Sequence, residues 1–278
     1  MKYYCLIAGL PDMGIDDRRP VFDMAAFREI LRPQLSGKDN RLIDLFYLKF
    51  DNRNLLRYLT DKNIPFDGRG NLSRDEMEEC LRQIEEAEEP ENKYFPPYYK
   101  TFIEEYRSTT AEPVQWENRM AELYYSRAMR CGNRFVSEWF GFNLNLNNIL
   151  AAYAARKYRM ETEVVGDNEV AQSIKASGQR DLGLTGVVDN MDELQRIAEE
   201  RDLFEREKKI DLLQWKWIEE NTFFAYFTIE RIFACLLKLE IIERWAVLDR
   251  EEGKRVFGKL IDDLKNTVIN ESKLTHAS

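Results

Sequence analysis

The residue types that carry acid–base, nucleophilic or metal chemistry are thinly spread in this chain, and their spacing suits little of it. The one histidine is His276, third from the end. A Ser-His-Asp or Cys-His arrangement would have to use it, and any site needing two histidines is excluded. Cys5, Cys80, Cys131 and Cys235 are far apart, so no CxxC spacing for zinc or redox work exists. They read as free thiols, mostly buried, in a reducing compartment. Gly37-Lys38 and Gly253-Lys254 lack the upstream glycine and the following hydroxyl of a phosphate-binding loop. No GxGxxG opens a helix after a strand. Fifty Asp and Glu residues leave a two-carboxylate hydrolase open by counting alone. No pair is singled out, and acids at helical spacing are ordinarily a solvated face. The expectation is a protein that is not an enzyme, with no catalytic residue, no cofactor and no metal.

Polar residues set inside apolar stretches are more informative. Leu45–Leu56 aligns without gaps on Trp139–Leu150. Phe46 falls on Phe140, Asp51 on Asn145, Asn54 on Asn148, and Leu55 on Ile149. The pattern reads as a polar helix entry used twice, with Asp51 or Asn145 as N-cap. Asn54 and Asn148, one turn later, are placed to hydrogen-bond a neighbouring backbone. Two amphipathic helix starts that are alike by chance are the competing account.

The elements that must position these residues are helical. Ser73 stands three before Glu76 as in a capping box, and opens a helix that runs to Glu89 and is closed by Pro90. Trp116, Met120, Leu123, Tyr124, Ala128 and Cys131 make one apolar stripe after Pro113, ended by Gly132. A further helix is expected over Leu146–Tyr158. Residues Gly166–Asn190 read as a linker with a short helix near Val170–Ala176. Asp192–Glu219 reads as one helix of about 40 Å at 1.5 Å per residue. Phe223–Leu248, apolar on nearly all faces, reads as a buried helix. Phe257, Leu260, Ile261, Leu264 and Val268 form a last stripe. Tyr3–Ala8 is too short for periodicity to separate strand from helix start. The fold class expected is all-α, an elongated protein of helical units, with a short N-terminal strand as the one open option.

Three aromatic clusters have two readings each. Tyr94-Phe95-Pro96-Pro97-Tyr98-Tyr99 packs a loop onto the body of the domain, or else Tyr94, Phe95, Tyr98 and Tyr99 contact a partner. Trp215 and Trp217 fall on different helix faces, one for the core and one for a contact surface. Phe223-Phe224-Ala225-Tyr226-Phe227 is expected in the core.

Composition narrows the function classes. Of 278 residues, 44% are hydrophobic and 33% charged, which is the balance of a globular protein. Lys and Arg number 41 against 50 acids, a net charge of -9. Without a basic stripe, such a chain is a poor nucleic-acid binder, because that affinity comes from neutralising phosphates. No stretch approaches the ~20 apolar residues of a membrane span, and no signal peptide is visible. A cytoplasmic chain is expected, with any membrane contact indirect.

Phe50-Asp51-Asn52-Arg53-Asn54-Leu55-Leu56-Arg57-Tyr58-Leu59 resembles the Asp/Asn-Leu helix motif of the C-type rotor component of A-type and V-type ATPases, the d-type component of the eukaryotic enzyme. Trp116–Tyr125 looks like the helix opening that family's second unit, and Asn145-Leu146-Asn147-Asn148-Ile149-Leu150 like its second motif. Leu237–Arg244 looks like the helix of the third unit. Tyr3–Pro11 and Glu240–Trp245 look more closely like an uncharacterised bacterial family encoded among V-type ATPase genes. The resemblance covers roughly Tyr3 to Leu264, thinly, through helix-packing motifs. The third unit departs from it, with Glu243-Arg244 where an Asn-Leu pair belongs, and Ala151-Ala152 replace a basic residue in the second.

The resemblance implies three related helical units, at 1–112, 113–190 and 191–278, with Asp51, Asn54, Leu55, Asn145, Asn148, Ile149, Glu240 and Arg244 as structural motif residues. It implies a non-catalytic central-rotor part between the central-stalk subunits and the membrane proteolipid ring, peripheral to the inner face of the membrane. The competing expectation is a soluble helical adaptor that binds another protein.

Overall fold

A computed structural model describes residues 3–17 and 22–248. The protein is all-α; among the described residues β-pairing is limited to an isolated bridge between Thr185 and Val188. The expected last stripe, Phe257 to Val268, and His276 lie outside the described residues. Packing divides the chain into two compact units, one of Leu31–Phe224 and one of Met1–Ile30 with Ala225–Ser278. These limits do not follow the motif boundaries after residues 112 and 190.

The larger unit holds α3 (Gly37–Thr60), α4 (Arg74–Glu85), α5 (Tyr98–Ser108), α6 (Pro113–Met129), α7 (Arg134–Tyr158), α8 (Glu169–Ala176), α9 (Met191–Glu199) and α10 (Leu203–Thr222). Helix α6 lies against α3, α5 and α7; α7 carries α8 and α9, and α9 meets α10. Two long helices, α3 of 24 residues and α7 of 25, are the frame. In α3, Leu45, Phe46, Tyr47 and Leu48 are consecutive and all buried, so every face of the helix is covered. A helix enclosed on all sides shows no single apolar stripe. Its start is set by Ser36, whose hydroxyl accepts from the Asp39 N–H at 3.2 Å.

Asn133 caps α7 by accepting from the Val136 N–H at 3.1 Å. The helix therefore begins twelve residues before the expected Leu146, and Asn145 is in its middle. Asp51 is likewise deep inside α3, so neither residue is an N-cap, which corrects the reading of a helix entry. The capping box at Ser73 and Glu76 is present, with both reciprocal hydrogen bonds made. The expected helix over Asp192–Glu219 is two helices. The Glu200 carboxylate accepts from the N–H groups of Arg201 and Asp202, at 2.8 and 3.2 Å, and Asp202 caps α10 by accepting from Glu205. Two acceptors of backbone N–H in succession start a new helix rather than continue an old one. Trp215 is buried, and Trp217 stacks on Phe142 with centroids 5.3 Å apart, so both are used in packing.

The smaller unit contains α1 (Tyr4–Ala8) and α2, Met24–Leu31, which runs to the unit boundary, together with α11, helical over residues 229–248. The open choice at Tyr3–Ala8 falls to helix, with Ile7 N–H bonded to the Tyr3 carbonyl at 2.9 Å. Helix α11 begins later than expected. Phe223, Phe224 and Tyr226 lie in the turn before it, at 68%, 81% and 62% exposure, which overturns their assignment to the core. Ile232, Phe233, Leu236, Leu237 and Leu239 supply its buried side instead.

All four cysteines are free thiols; Cys5 is exposed, and Cys80 and Cys235 are buried. Burial pushes the Cys235 thiol up to about 12 and raises Cys80 and Cys131 as well. With a thiolate fraction of only about one in ten thousand at pH 8, Cys235 is inert as a nucleophile. Titration with an aromatic disulfide at pH 8 is expected to label Cys5 at once, and Cys80 and Cys235 only after denaturant is added. Prompt labelling of Cys235 in the native chain would contradict the packing around α11.

Candidate functional site

The residues that repeat in sequence do the same thing in space. Asn54, on α3, faces the loop that leads into α4. Its Nδ2 donates to the Asp67 carbonyl at 3.0 Å, and its Oδ1 accepts from the Asp67 N–H at 2.8 Å. Asn148, on α7, faces the loop that leads into α8. Its Nδ2 donates to the Val165 carbonyl and its Oδ1 accepts from the Val165 N–H, both at 2.9 Å. A carboxamide presents one donor and one acceptor at the spacing of a peptide group, so each asparagine pairs with one loop residue as a strand neighbour would. Asn54 is 1% exposed and Asn148 2%. Both polar groups of the loop residue are thereby satisfied by a side chain.

One turn earlier on each helix is the second member of the motif. Asp51, fully buried, accepts from the Asn71 N–H and the Asn71 Nδ2, each at 2.9 Å, and from the Leu72 N–H at 3.1 Å. Asn145 occupies its place in α7, and its Oδ1 accepts from Asn168 Nδ2 at 2.8 Å. Asn168 also caps α8 by accepting from Ala171 N–H. Leu55 and Ile149, next to the paired asparagines, are both fully buried. Helix, loop and following helix are therefore locked by the same two side-chain positions in both copies.

The first loop is held most tightly. A Cβ on Gly70 would stand 2.2 Å from Asp51 Oδ1, so only glycine lets this backbone approach the carboxylate. Arg69 doubles back on Asp67, with Nη2 to Oδ2 at 2.6 Å, and its guanidinium covers the Phe50 ring at 4.2 Å. The hydrogen bond from Arg69 holds the Asp67 carboxyl below the usual range.

At the third motif that the resemblance implies, Glu240 and Arg244 lie on α11, half-buried and exposed. Glu243, where an Asn is absent, accepts from the Met24 N–H at 2.5 Å. That places a carboxylate at the first turn of α2, where helix N–H groups lack partners.

The aromatic loop is not a presented surface. Tyr99 is fully buried, and Phe95 and Tyr98 nearly so. Tyr98 and Tyr99 both donate their hydroxyls to Asn52 Oδ1, at 2.7 and 2.8 Å. Burial raises both phenols far above their ordinary range. Tyr94 accepts from Arg32 Nη1 at 2.8 Å. The reading of Phe95, Tyr98 and Tyr99 as partner contacts is corrected by this burial: the loop packs against α3.

Sequence reasoning missed Asn52, Gly70, Asn71 and Asn168. A signal was there: Gly70-Asn71 and Gly166-Asp167-Asn168 each put a glycine just before an asparagine and a helix start.

Among the described residues no helix is long and apolar enough to cross a membrane. No group of three or more His, Cys, Asp or Glu side chains among them is placed to hold a metal ion. A family model described as "Protein of unknown function (DUF2764)" matches residues 1–268, and the chain belongs to that family. No curated protein and no solved structure matches it.

Proposed function

We propose that this protein is a non-catalytic central-rotor component of a V-type or A-type ATPase, coupling the central stalk to the membrane proteolipid ring. In this reading it is cytoplasmic and reaches the inner face of the membrane only through the ring. The observation that carries the proposal is the duplicated lock, Asn54 to Asp67 and Asn148 to Val165, at the two positions where the rotor-like helix motif recurs. A part that passes torque must not creep at its loops. A loop tied to a long helix by buried, reciprocal hydrogen bonds moves with that helix. Glu243, holding Met24 at the third motif position, extends the same device. Net acidic charge suits attraction to basic stalk ends or ring loops.

The test is affinity purification of the tagged chain from gently solubilised native membranes, read by mass spectrometry. Proteolipid and central-stalk subunits in stoichiometric amounts are expected. Recovery from the soluble fraction alone, without ATPase subunits at any salt concentration, would end the rotor reading and leave the soluble adaptor in its place.

A further inference from the structure

One cleft in the larger unit has a charge opposite to that of the chain. It measures about 550 Å³ and is lined by Tyr153, Arg156 and Lys157 of α7, Arg180 of the loop after α8, Glu199 of α9, and Arg201. Four cations face one carboxylate there, in a chain of net charge -9. Arg180 pairs with Glu199 at 3.1 Å, but both side chains are more than half exposed, so the pair opens at little cost. Arg156 gives its guanidinium to the carbonyls of Gln179 and Ser177, neither of them a charged partner. Lys157 lies 5.7 Å from the Tyr158 ring, and neither it nor Arg201 has an ion pair among the described residues. The nearby Asp181 carboxylate is turned into its own loop, accepting from Gly183 N–H and the Thr185 hydroxyl.

A second, independent observation concerns Tyr153. Its hydroxyl oxygen is buried and has no hydrogen-bond partner among the described residues. Folded proteins rarely keep such a group unpaired without a use for it. Cations at the last turn of α7 suit the helix dipole, which accounts for Arg156 and Lys157 alone. It explains neither Arg180 and Arg201 nor the unpaired phenol.

We propose that this cleft binds a small phosphate-bearing polyanion of the diphosphate or phosphate-ester class. Opening of the exposed Arg180–Glu199 pair admits the ligand to the buried Tyr153 hydroxyl, which donates to a phosphate oxygen, and Arg156, Lys157, Arg180 and Arg201 balance the charge. Four positive charges less those of Glu199 and the neighbouring Asp181 leave two, more than one carboxylate neutralises and what a phosphate monoester carries. Guanidinium groups suit phosphate oxygens through paired donors, and the volume is that of an ordinary small-ligand site. The inference stands apart from the rotor proposal.

The test uses the full chain and sodium pyrophosphate, titrated by calorimetry at fixed ionic strength. Saturable binding is expected at one pyrophosphate per chain. Lys157→Gln and Arg201→Gln, both at exposed positions, should each weaken it by about tenfold. Tyr153→Phe should weaken it by about fivefold while leaving the melting temperature level or higher, since no internal hydrogen bond is lost. Lys208→Gln, an exposed cation away from the cleft, should bind as the wild type does. Flotation with phosphatidylcholine vesicles, with and without phosphatidic acid, separates the sources of the phosphate. Retention by the acidic vesicles, lost in Arg201→Gln, identifies a headgroup; pyrophosphate binding without retention identifies a soluble ligand. The proposal is overturned by absence of both, by equal binding in wild type and Tyr153→Phe, or by equal weakening in Lys208→Gln and Arg201→Gln.

Discussion

Asp51→Ala is expected to lower unfolding free energy by about 3–5 kcal/mol, among the largest effects of any single polar substitution. The carboxylate is fully buried and accepts from Asn71 N–H, Asn71 Nδ2 and Leu72 N–H. Alanine takes the buried acceptor from the Asn71 and Leu72 N–H groups, while Asn71 Nδ2 keeps its bond to the Asp44 carbonyl at 3.0 Å. Asp51→Asn keeps one oxygen but turns an amino group toward backbone donors, and about 2 kcal/mol is the expected loss. Gly70→Ala attacks the same junction from the other side, because its Cβ would stand 2.2 Å from Asp51 Oδ1. About 2–3 kcal/mol is expected there. The two sites share one contact, so Asp51→Ala with Gly70→Ala should cost less than the two separate losses by at least about 1 kcal/mol. Urea unfolding of the four proteins measures this. Strict additivity would mean that Gly70 and Asp51 do not meet.

How much of this was visible in advance depends on what surrounds each residue. Helix α4 was legible because one face is wet: Met77, Cys80 and Leu81 are buried at helical spacing, and Ser73 and Glu76 mark its start. Helix α3 was not, because burial on all sides erases the period. The repeat pointed to Asp51, Asn54, Asn145 and Asn148, yet their role was misplaced. An asparagine or aspartate after an apolar run looks like a cap when the helix N-terminal to it is unseen. The partners Asp67, Asn71, Val165 and Asn168 lie 13 to 23 residues away, at distances set by the intervening loops and not by any local period. Phe223, Phe224 and Tyr226 show the opposite error. Their composition matches a core segment, but the chain turns there before Ile229 starts α11, and a turn at the surface carries its side chains outward. The anion cleft joins α7, the loop after α8 and the end of α9. No sequence window contains it.

The two asparagine locks should cost the same to break. Asn54→Ala and Asn148→Ala each remove a reciprocal pair and take the side-chain partner from one loop N–H and one loop carbonyl, the Asp67 carbonyl keeping only a longer bond from the Gly70 N–H at 3.3 Å, for about 2–4 kcal/mol apiece. The pairs share no residue, so the double variant should show the sum to within about 0.5 kcal/mol. Aspartate at either position adds a sharper test. It keeps the acceptor for the loop N–H but sets a carboxylate oxygen against the loop carbonyl, at the place where Nδ2 now donates at 2.9–3.0 Å. Only the protonated acid restores a donor there, so the folded state raises this group's pKa above about 3.9 in the unfolded chain. A raised carboxyl contributes its stability below the unfolded pKa and loses it as pH rises through the folded one. Asn148→Asp should therefore lie close to wild type at pH 4 and fall well below it at pH 7, and Asn54→Asp should do the same. Matched behaviour at both sites is what a duplicated device requires. A large loss at Asn54 beside a negligible one at Asn148 would mean that α7 holds its loop by the apolar packing of Leu146, Ile149 and Val170 alone. The proposal of a repeated-unit rotor part would then lose its physical support.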